Sequence, residues 1–329
     1  MMISYDKLAR NSSAFRSLTG LDRLLFDRLY SQVEQALKAQ RSPETTRDGK
    51  QSRLRKPGAG RKYANDLRSR LVMTLFWLRV YPSYPVLAFF FSVDQSTISR
   101  NLREIFVVLV ALTEFEFERP AKERKRLHSR EAVMDAFPEI ALVIDGKEQR
   151  IRRPKTKKDK DGNITDTQKP YYSGKKKCHT LKNEIAVSPS GRIVSVSASY
   201  PGGANHDLTV TRKNGLLDKL APDEGVMTDS GYDGLAKDYP DHKLVQVQKA
   251  RRNRPLEPEQ KQFNTVIGRS RIIVEHSLAQ MNQFQILAQM YRHGRERHGD
   301  IVRVVAGIVN LRIKERPLKT YPAQLGLAL

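Results

Sequence analysis

The sequence has little cysteine, no long apolar run and a deficit of acidic residues. Its one cysteine, Cys178, cannot form an internal disulfide, which excludes a disulfide-stapled secreted domain and favours a reducing compartment. The most apolar stretch, residues 71–93, is broken by Arg79, Pro82 and Pro85 and falls short of the roughly 18 uninterrupted apolar residues of a membrane helix. The first ten residues have no apolar core. We therefore expect neither a signal peptide nor a membrane partner.

Basic residues dominate the charge. The 329 residues include 59 Lys and Arg against 36 Asp and Glu, which gives a net charge of +23. Hydrophobic residues make up 39% of the chain, enough for a folded core, so wholesale disorder is excluded. So many like charges repel one another, and an anionic partner offsets that repulsion. Nucleic acid is the partner that this balance favours, which predicts a cytoplasmic, nucleoid-associated protein.

Changes in composition and periodicity predict several segments. The N-terminal region is expected to be helical, and the basic stretch with Pro, Gly and Ser after it has too little apolar surface to fold alone. The predicted order is a helical region (1–40), a basic linker (41–62), a helix-turn-helix domain (63–112), a charged connector (113–138), an α/β domain (139–316) and a C-terminal tail (317–329).

Residues 66–111 have the pattern of three helices. A leucine repeat follows a capping residue at Asn65 or Asp66, and breaks are expected at 81–83 and 91–93. Two short helices joined by a few residues form the helix-turn-helix, whose second helix enters the major groove. An ordinary three-helix packing unit is the alternative, and the net charge favours DNA. The outward residues of the second helix are Gln95, Ser96, Thr97, Ser99, Arg100 and Arg103.

Beyond residue 139 the period changes to that of strands. The predicted strands are 140–144, which ends at Asp145, then 181–187, 193–199, 225–229 and 244–247; the predicted helices are 205–220, 258–284 with a bend at Gly268, and 300–315. Strands alternating with helices in this way indicate a mixed sheet flanked by helices, and hence an α/β fold.

Two acids occupy corresponding places, because Asp145 ends the first predicted strand and Asp229 ends the fourth. Carboxylates beside so many cations stay ionised and suit a hard cation such as Mg²⁺. A third acid, Glu275, follows three apolar residues, so its helical turn is expected to be buried. An acid there needs a partner, either Arg271 one turn earlier or a metal.

Each of these acids also has an ordinary structural explanation. Asp-Gly after a strand is common in turns, and Glu with Arg four residues earlier is a common helix pair. Three further acids compete for a functional role. Of these, Asp207 is interpreted as a helix-start acid and Asp233 as a turn residue, while Glu148 is left open.

Two basic segments could neutralise phosphates. Residues 149–177 are very basic and include Tyr171 and Tyr172, a mixture of charge and stacking surface typical of a nucleic-acid contact. A second basic loop contains Arg251, Arg252 and Arg254.

Five segments together resemble the DDE transposases of bacterial insertion sequences, nearest to insertion-sequence family five and the Harbinger-type DDE endonucleases. They are Val143-Ile-Asp-Gly146, Tyr172-Ser-Gly-Lys-Lys-Lys-Cys-His-Thr-Leu-Lys182, Pro201-Gly-Gly-Ala-Asn-His-Asp207, Thr228-Asp-Ser-Gly-Tyr-Asp-Gly234, and Asn264 with Arg271 and Val274-Glu275. The resemblance covers residues 63–315 and implies an RNase H-like DDE catalytic core in 139–316.

The resemblance implies roles for individual residues. Asp145, Asp229 and Glu275 match the family's three catalytic, metal-binding acids, and Arg271 matches an arginine one turn before the last acid. Asn282 departs from the pattern, because related enzymes often have Lys or Arg there. The expected DNA-binding residues outside the helix-turn-helix are Lys175, Lys176, Lys177, His179, Lys182, Arg251, Arg252, Arg254 and Arg271.

The implied activity is transposition. Two Mg²⁺ ions, with Mn²⁺ as a substitute, would lie roughly 3.5–4 Å apart with Asp145 bridging them, and would activate water against a phosphodiester. The released 3′-OH would then attack target DNA. The helix-turn-helix would read the terminal inverted repeats, and joining two ends calls for a homodimer or larger synaptic complex.

Three other functions remain as alternatives. A non-catalytic helix-turn-helix regulator explains the charge but leaves the strand-end acids without a role. A host-adapted DNA endonuclease would cut without integrating. An RNA-binding protein fits least, since neither an aromatic sheet signature nor a GXXG loop is present.

Overall fold

A computed structural model describes residues 3–40, 63–113, 140–165, 168–221, 224–250 and 255–314, with the backbone alone at 157, 158, 165, 269, 270 and 314. The chain divides into two compact units, residues 1–114 with 284–286, and residues 115–283 with 287–329. The predicted linker, most of the connector, the C-terminal tail and the loop 251–254 lie outside the described residues. None of the described helices combines the length and apolar character that crossing a bilayer requires.

The first unit is helical. Aromatic side chains form part of its core, with Phe15 and Phe26 completely buried and edge-to-face at 5.2 Å between ring centroids. Its helices are α1 (Tyr5–Ala9), α2 (Ser12–Thr19), α3 (Arg23–Gln40), α4 (Leu67–Val80), α5 (Tyr84–Phe91) and α6 (Gln95–Leu112).

A buried arginine ties α4 to α6. Arg70 is 4% exposed, and its guanidinium donates to Asn101 Oδ1 and Glu104 Oε2, each at 2.6 Å. The same guanidinium lies 3.8 Å from the centroid of the Tyr63 ring. Because the charge is both paired and stacked, the cost of its burial is offset. The third helix of the predicted three-helix unit is therefore fixed to the first.

Helices α4–α6 begin and end close to the capping and turn residues that the sequence predicts. Asp66 caps α4, and its side chain accepts from the Ser69 backbone N–H at 3.0 Å. Pro85 lies in the first turn of α5, where no intrahelical donor is needed. Ser92 ends α5 in the left-handed conformation with φ of 51°, which turns the chain within three residues into α6. The helix-turn-helix geometry is confirmed.

The second unit is built on a mixed sheet. Its strands are β1 (Ile140–Arg150), β4 (Tyr172–Ser173), β5 (Cys178–Val187), β6 (Ile193–Val196), β7 (Tyr200–Pro201), β8 (Gly225–Thr228) and β9 (Leu244–Gln246), and a separate short ladder joins β2 (Lys157–Lys158) to β3 (Ile164–Thr165). The main order is β4-β5-β1-β8-β9, with β6 and β7 also paired to β5. β5 runs antiparallel to β1, whereas β8 and β9 run parallel to it. This is the RNase H-like α/β arrangement that was predicted.

Helices flank the sheet. They are α7 (Asp207–Asn214), α8 (Leu235–Asp238), α9 (Pro258–Asn282) and α11 (His298–Lys314). A short helix between the last two, α10 (Gln285–Ala288), is divided between the two units. One apolar cluster joins β1 and β8 to the segments around α7 and α8, with Ile144, Leu217 and Leu235 completely buried. α11 is held to β6 by Asn310, whose side chain bonds both the N–H and the C=O of Ile193.

Several element boundaries differ from the sequence predictions. β1 does not end at Asp145 but continues to Arg150, because β5 pairs with it as far as Arg150 opposite Thr180. The strand predicted over 193–199 ends at Val196, and a separate short strand follows only at Tyr200–Pro201. The helix predicted over 205–220 ends at Asn214, where Gly215 adopts a φ of 59°. α9 is a single continuous helix through Gly268.

Candidate active site and DNA-binding surface

The strand register places Asp145 and Asp229 side by side. β1 and β8 are parallel neighbours in which Val143 lies opposite Met227. Asp145 is two residues after Val143, and Asp229 is two residues after Met227. Side chains two residues apart in extended chain leave the same face, so both carboxylates lie at the same level on adjacent strands and on the same face of the sheet. Asp145 is within β1, and Asp229 comes directly after β8.

Backbone donors hold both carboxylates. Asp145 accepts from the Gly146 N–H at 2.8 Å, and Asp229 accepts from the Gly231 N–H at 2.7 Å. Burial raises the pKa of the Asp145 carboxyl, and the charges of Asp229 and Asp207 raise it further, while Arg271 and the Gly146 N–H lower it. The site therefore brings several negative charges together where they are partly buried from solvent.

Arg271 reaches this cluster from α9. A guanidinium nitrogen lies 3.6 Å from Asp145 Oδ1, and both side chains are mostly buried. The sequence interpretation had offered Arg271 or a metal as the partner of Glu275. Glu275 and its neighbour Ile272 are exposed, so the expectation of a largely buried turn is wrong for them, although Ile273 and Val274 are buried. The helix presents the third predicted acid to solvent.

Asp207 belongs to the same cluster, which the sequence interpretation missed. It does start α7, as expected, but its side chain lies between the segments that follow the two strand acids. A Cβ added at Gly146 would be 2.6 Å from Asp207 Oδ1, and one added at Gly231 would be 2.9 Å from both Asp207 Oδ2 and Asp229 Oδ1. The absence of a side chain at these two glycines was the available signal, since it leaves room for a close neighbour.

The chemistry of this cluster fits a divalent cation. Its donors are carboxylate oxygens, and their mutual repulsion is what a cation relieves. The Tyr232 hydroxyl is completely buried beside these acids and has no hydrogen-bond partner among the described residues. No group of three acidic, His or Cys side chains within those residues is placed to hold an ion as it stands. The donors therefore suit a metal without forming a closed cage.

The predicted basic residues near the sheet differ in their surroundings. Lys182 is 3.1 Å from Asp207 Oδ1, so its charge is already paired. His179 lies edge-to-face against Tyr172 across the β4–β5 ladder. Lys175, Lys176 and Lys177 occupy the exposed turn between these two strands. Arg251, Arg252 and Arg254 lie outside the described residues.

The outward face of α6 carries the predicted base-reading residues. Gln95, Ser96, Arg100 and Arg103 are exposed, and Thr97 and Ser99 are half-buried. The Arg100 side chain folds back on its own helix, donating to the Ser96 carbonyl at 3.3 Å. These residues are available to a groove at the N-terminal part of the second helix.

Comparison with known proteins gives the class. The family described as "DDE superfamily endonuclease" matches residues 144–310, and "Helix-turn-helix of DDE superfamily endonuclease" matches residues 66–115. The chain belongs to the DDE superfamily of endonucleases, and its predicted membership of the insertion-sequence DDE transposases is confirmed. It is 25% identical over 297 residues, 90% of this chain and 93% of the relative, to the "Probable transposase for insertion sequence element IS702" of Microchaete diplosiphon. No solved structure matches significantly.

Proposed function

We propose that this protein is a transposase that binds the terminal inverted repeats of its element, cleaves a phosphodiester at each end and transfers the freed strand to target DNA. The observation that carries the proposal is the alignment of Asp145 with Asp229 on adjacent parallel strands, with Arg271 of α9 against Asp145. A helix-turn-helix in the same chain supplies the DNA-reading part.

We assign the divalent ions to Asp145, Asp229 and Glu275. Glu275 is one turn after Arg271 and seven residues before Asn282, so the three share one face of α9. Arg271 contacts Asp145 of β1, and Asn282 accepts a hydrogen bond from Lys147 of the same strand. This shared face supports the assignment of Glu275 to the same site as the two strand acids.

When bound, a pair of Mg²⁺ ions, or Mn²⁺ in their place, supplies activation of water and stabilisation of the leaving 3′-oxygen. The chain's own residues do the rest. The backbone donors at Gly146 and Gly231 orient the two strand carboxylates. Asp207, held by Lys182, fixes the spacing between those two segments. Exposed lysines of the β4–β5 turn neutralise phosphates, which makes binding strongly salt-dependent.

Two ends must come together for strand transfer, so we propose a homodimer or larger synaptic complex on DNA at the nucleoid. The outward residues of α6 would read base edges in the inverted repeats, with Gln95 and Arg100 suited to adenine and guanine. Arg271, engaged with Asp145, acts at the acids rather than as a free contact to DNA.

The test is to incubate the full-length protein with labelled candidate element ends and Mg²⁺ or Mn²⁺ and to score 3′-end nicking. We expect Asp145→Asn to bind the ends and not cut them. Asp233→Asn is the matched control, because Asp233 is exposed and close to the site in sequence, and it should cut normally. Cleavage by Asp145→Asn at the wild-type rate would refute the assignment of the acids. A wild type that cuts no end would favour the regulator, and cutting without joined products would favour the host-adapted endonuclease.

A further inference from the structure

Glu184 is a buried acid on β5 that has no part in the proposed cleavage. It is 2% exposed, and its carboxylate accepts from the Asn214 amide at 2.8 Å and from the Thr211 hydroxyl. None of the described basic side chains forms an ion pair with it. Neutral donors offset only part of the cost of burying a carboxylate, so Glu184 adds little to stability. A buried polar group of this kind instead favours one particular arrangement of the elements that it joins.

Both donors lie on α7, on the helix face that also carries Asp207. Asp207, Thr211 and Asn214 are at positions i, i+4 and i+7, which share one face of a helix. On β5, Lys182 and Glu184 are two residues apart and leave the same face of the sheet. The Lys182 ammonium lies 3.1 Å from Asp207 Oδ1, and Glu184 holds the other two helix residues. These five residues form a polar α7–β5 seam, along which the helix meets the strand.

One end of the seam lies at the candidate active site. Gly146 is directly opposite Glu184 in the β1–β5 register, and Asp207 Oδ1 fills the space that a side chain at Gly146 would need, 2.6 Å from such a Cβ. Asp207 Oδ2 is 2.9 Å from the equivalent point at Gly231. The N–H groups of these two glycines hold the carboxylates of the two strand acids. The position of α7 on β5 therefore decides where Asp207 lies between the two donors.

Apolar packing alone would fix that position less closely. α7 also packs through Leu208 against the apolar cluster that contains Ile144 and Tyr232. Apolar contact is non-directional, so it tolerates a small displacement of the helix. Hydrogen bonds to both oxygens of one carboxylate tolerate it less, because they weaken steeply as distance and angle depart from the optimum.

We propose that Glu184 is a positioning residue for the candidate active site. It fixes α7 on β5 and so holds Asp207 between the glycine donors that orient the two strand carboxylates. Glu184 itself contacts neither the divalent ions nor the DNA. The inference rests on the proposed function, because it takes those two carboxylates as metal ligands.

Mn²⁺ titration of the full-length protein, with the free ion followed by electron paramagnetic resonance, tests the inference together with urea unfolding of the same variants. Glu184→Leu should weaken Mn²⁺ binding about tenfold, as is usual when a residue that supports the metal ligands is removed. Glu184→Gln has nearly the same shape and can keep both hydrogen bonds once the Asn214 amide turns over, so it should bind Mn²⁺ like the wild type. An equal loss in Glu184→Gln and Glu184→Leu would make charge the cause instead of position, and would overturn the proposal.

Asn310→Leu is the matched control for a loss of stability. Asn310 ties α11 to β6 through both backbone groups of Ile193, much as Glu184 ties α7 to β5. Its substitution should lower the free energy of unfolding and leave the Mn²⁺ affinity of the folded protein unchanged. Equal losses of Mn²⁺ affinity in Asn310→Leu and Glu184→Leu would show that Glu184 has only a structural role.

A double-mutant cycle with Asp207→Asn tests whether Glu184 acts through Asp207. If it does, Asp207→Asn weakens Mn²⁺ binding, and Glu184→Leu/Asp207→Asn binds the ion no more weakly than Asp207→Asn alone. Losses that add, or wild-type affinity in Asp207→Asn, overturn the proposal. If Glu184→Leu does not fold, Thr211→Val, which removes one donor and keeps nearly the same shape, takes its place in the cycle.

Amide hydrogen exchange in EDTA separates this inference from the proposed function. Without metal, Glu184→Leu should raise exchange in the peptide that contains Gly231, because Asp207 no longer has a fixed place beside it, and Asn310→Leu should not. A wild type that binds no Mn²⁺ would refute the assignment of the acids, while this difference in exchange would still support the positioning role. Unchanged exchange and unchanged Mn²⁺ affinity in a folded Glu184→Leu protein would overturn the positioning role and leave the assignment of the acids standing.

Discussion

Arg271 of α9 holds Asp145 of β1, with 3.6 Å between a guanidinium nitrogen and the carboxylate oxygen. The contact fixes a long helix against the strand that carries this mostly buried acid. It also offsets part of the negative charge that Asp229 and Asp207 impose on Asp145. α9 therefore carries both the arginine that contacts Asp145 and, one turn later, the exposed Glu275, which is the third predicted acid.

Replacing Gly146 by alanine should damage both stability and activity. The new Cβ would meet Asp207 Oδ1 at 2.6 Å and its Cγ at 3.3 Å. Either β1 shifts or Asp207 leaves its place beside Lys182, and overpacking of this kind costs about 1–3 kcal/mol. Urea unfolding and 3′-end nicking would measure the two effects.

Gly268→Ala is the control for that substitution. Among the described residues, no atom outside the helix lies within 4 Å of a Cβ placed there, and Gly268 is in the interior of α9. Alanine should stabilise the protein by about 0.5–1 kcal/mol because it favours the helix. A Gly146→Ala protein as stable and active as Gly268→Ala would show that Asp207 does not need the space.

Arg100→Ala should weaken binding to element ends more than binding to random DNA. Arg100 is exposed near the start of α6, where side chains of a recognition helix reach base edges. Loss of a guanine contact costs about 1–3 kcal/mol of discrimination, and affinity for divalent metal should not change. Competition binding with end and random duplexes measures this, with Arg10→Ala, exposed in the same unit, as control. Equal losses on both duplexes would mean that α6 carries no sequence information.

His298 should make stability depend on pH. Its ring nitrogens contact Ser199 Oγ at 2.6 Å and Gln149 Oε1 at 2.8 Å, and burial, followed by the charge of Lys147, lowers the pKa to about 3. Between the unfolded pKa of about 6.5 and this value, the unfolded chain binds a proton that the folded chain does not. The contribution of His298 to the free energy of unfolding is therefore complete above pH 6.5. It declines as the pH falls below 6.5, by up to about 1.4 kcal/mol per pH unit.

Chemical unfolding of the wild type and His298→Gln between pH 5 and 7 would test this linkage. The substitution removes the titrating ring, so its stability should change less over this range than that of the wild type. Parallel curves for the two proteins would show that His298 does not stay neutral in the folded state.

Much of the fold could be predicted from periodicity and end signals. The Asp66 cap, the break at Pro82 and the turn at Ser92 were readable because each depends on neighbouring residues alone. The strand at Gly225–Thr228 was readable as a short apolar run ending in an acid. The extension of β1 beyond Asp145 was not, because it depends on pairing with β5, whose partner residues lie 30 to 38 positions later in the chain.

The site was only partly predictable for the same reason. Asp145 and Asp229 follow strands and could be found from position, whereas Asp207 looked like an ordinary helix start. Its approach to Gly146 and Gly231 is a tertiary contact. Lys147 likewise looked like one cation among many, and only the meeting of β1 with the end of α9 joins it to Asn282.

The central claim is that Asp145, Asp229 and Glu275 hold divalent ions together. Titration of Mn²⁺ into the full-length protein, with free Mn²⁺ followed by electron paramagnetic resonance, tests it without any DNA. Asp145→Asn, Asp229→Asn and Glu275→Gln should each weaken Mn²⁺ binding at least tenfold, and Asp233→Asn should bind like the wild type. Wild-type Mn²⁺ affinity in the Glu275→Gln protein would contradict the three-acid site. Wild-type Mn²⁺ affinity in all three variants would show that these acids do not bind the metal.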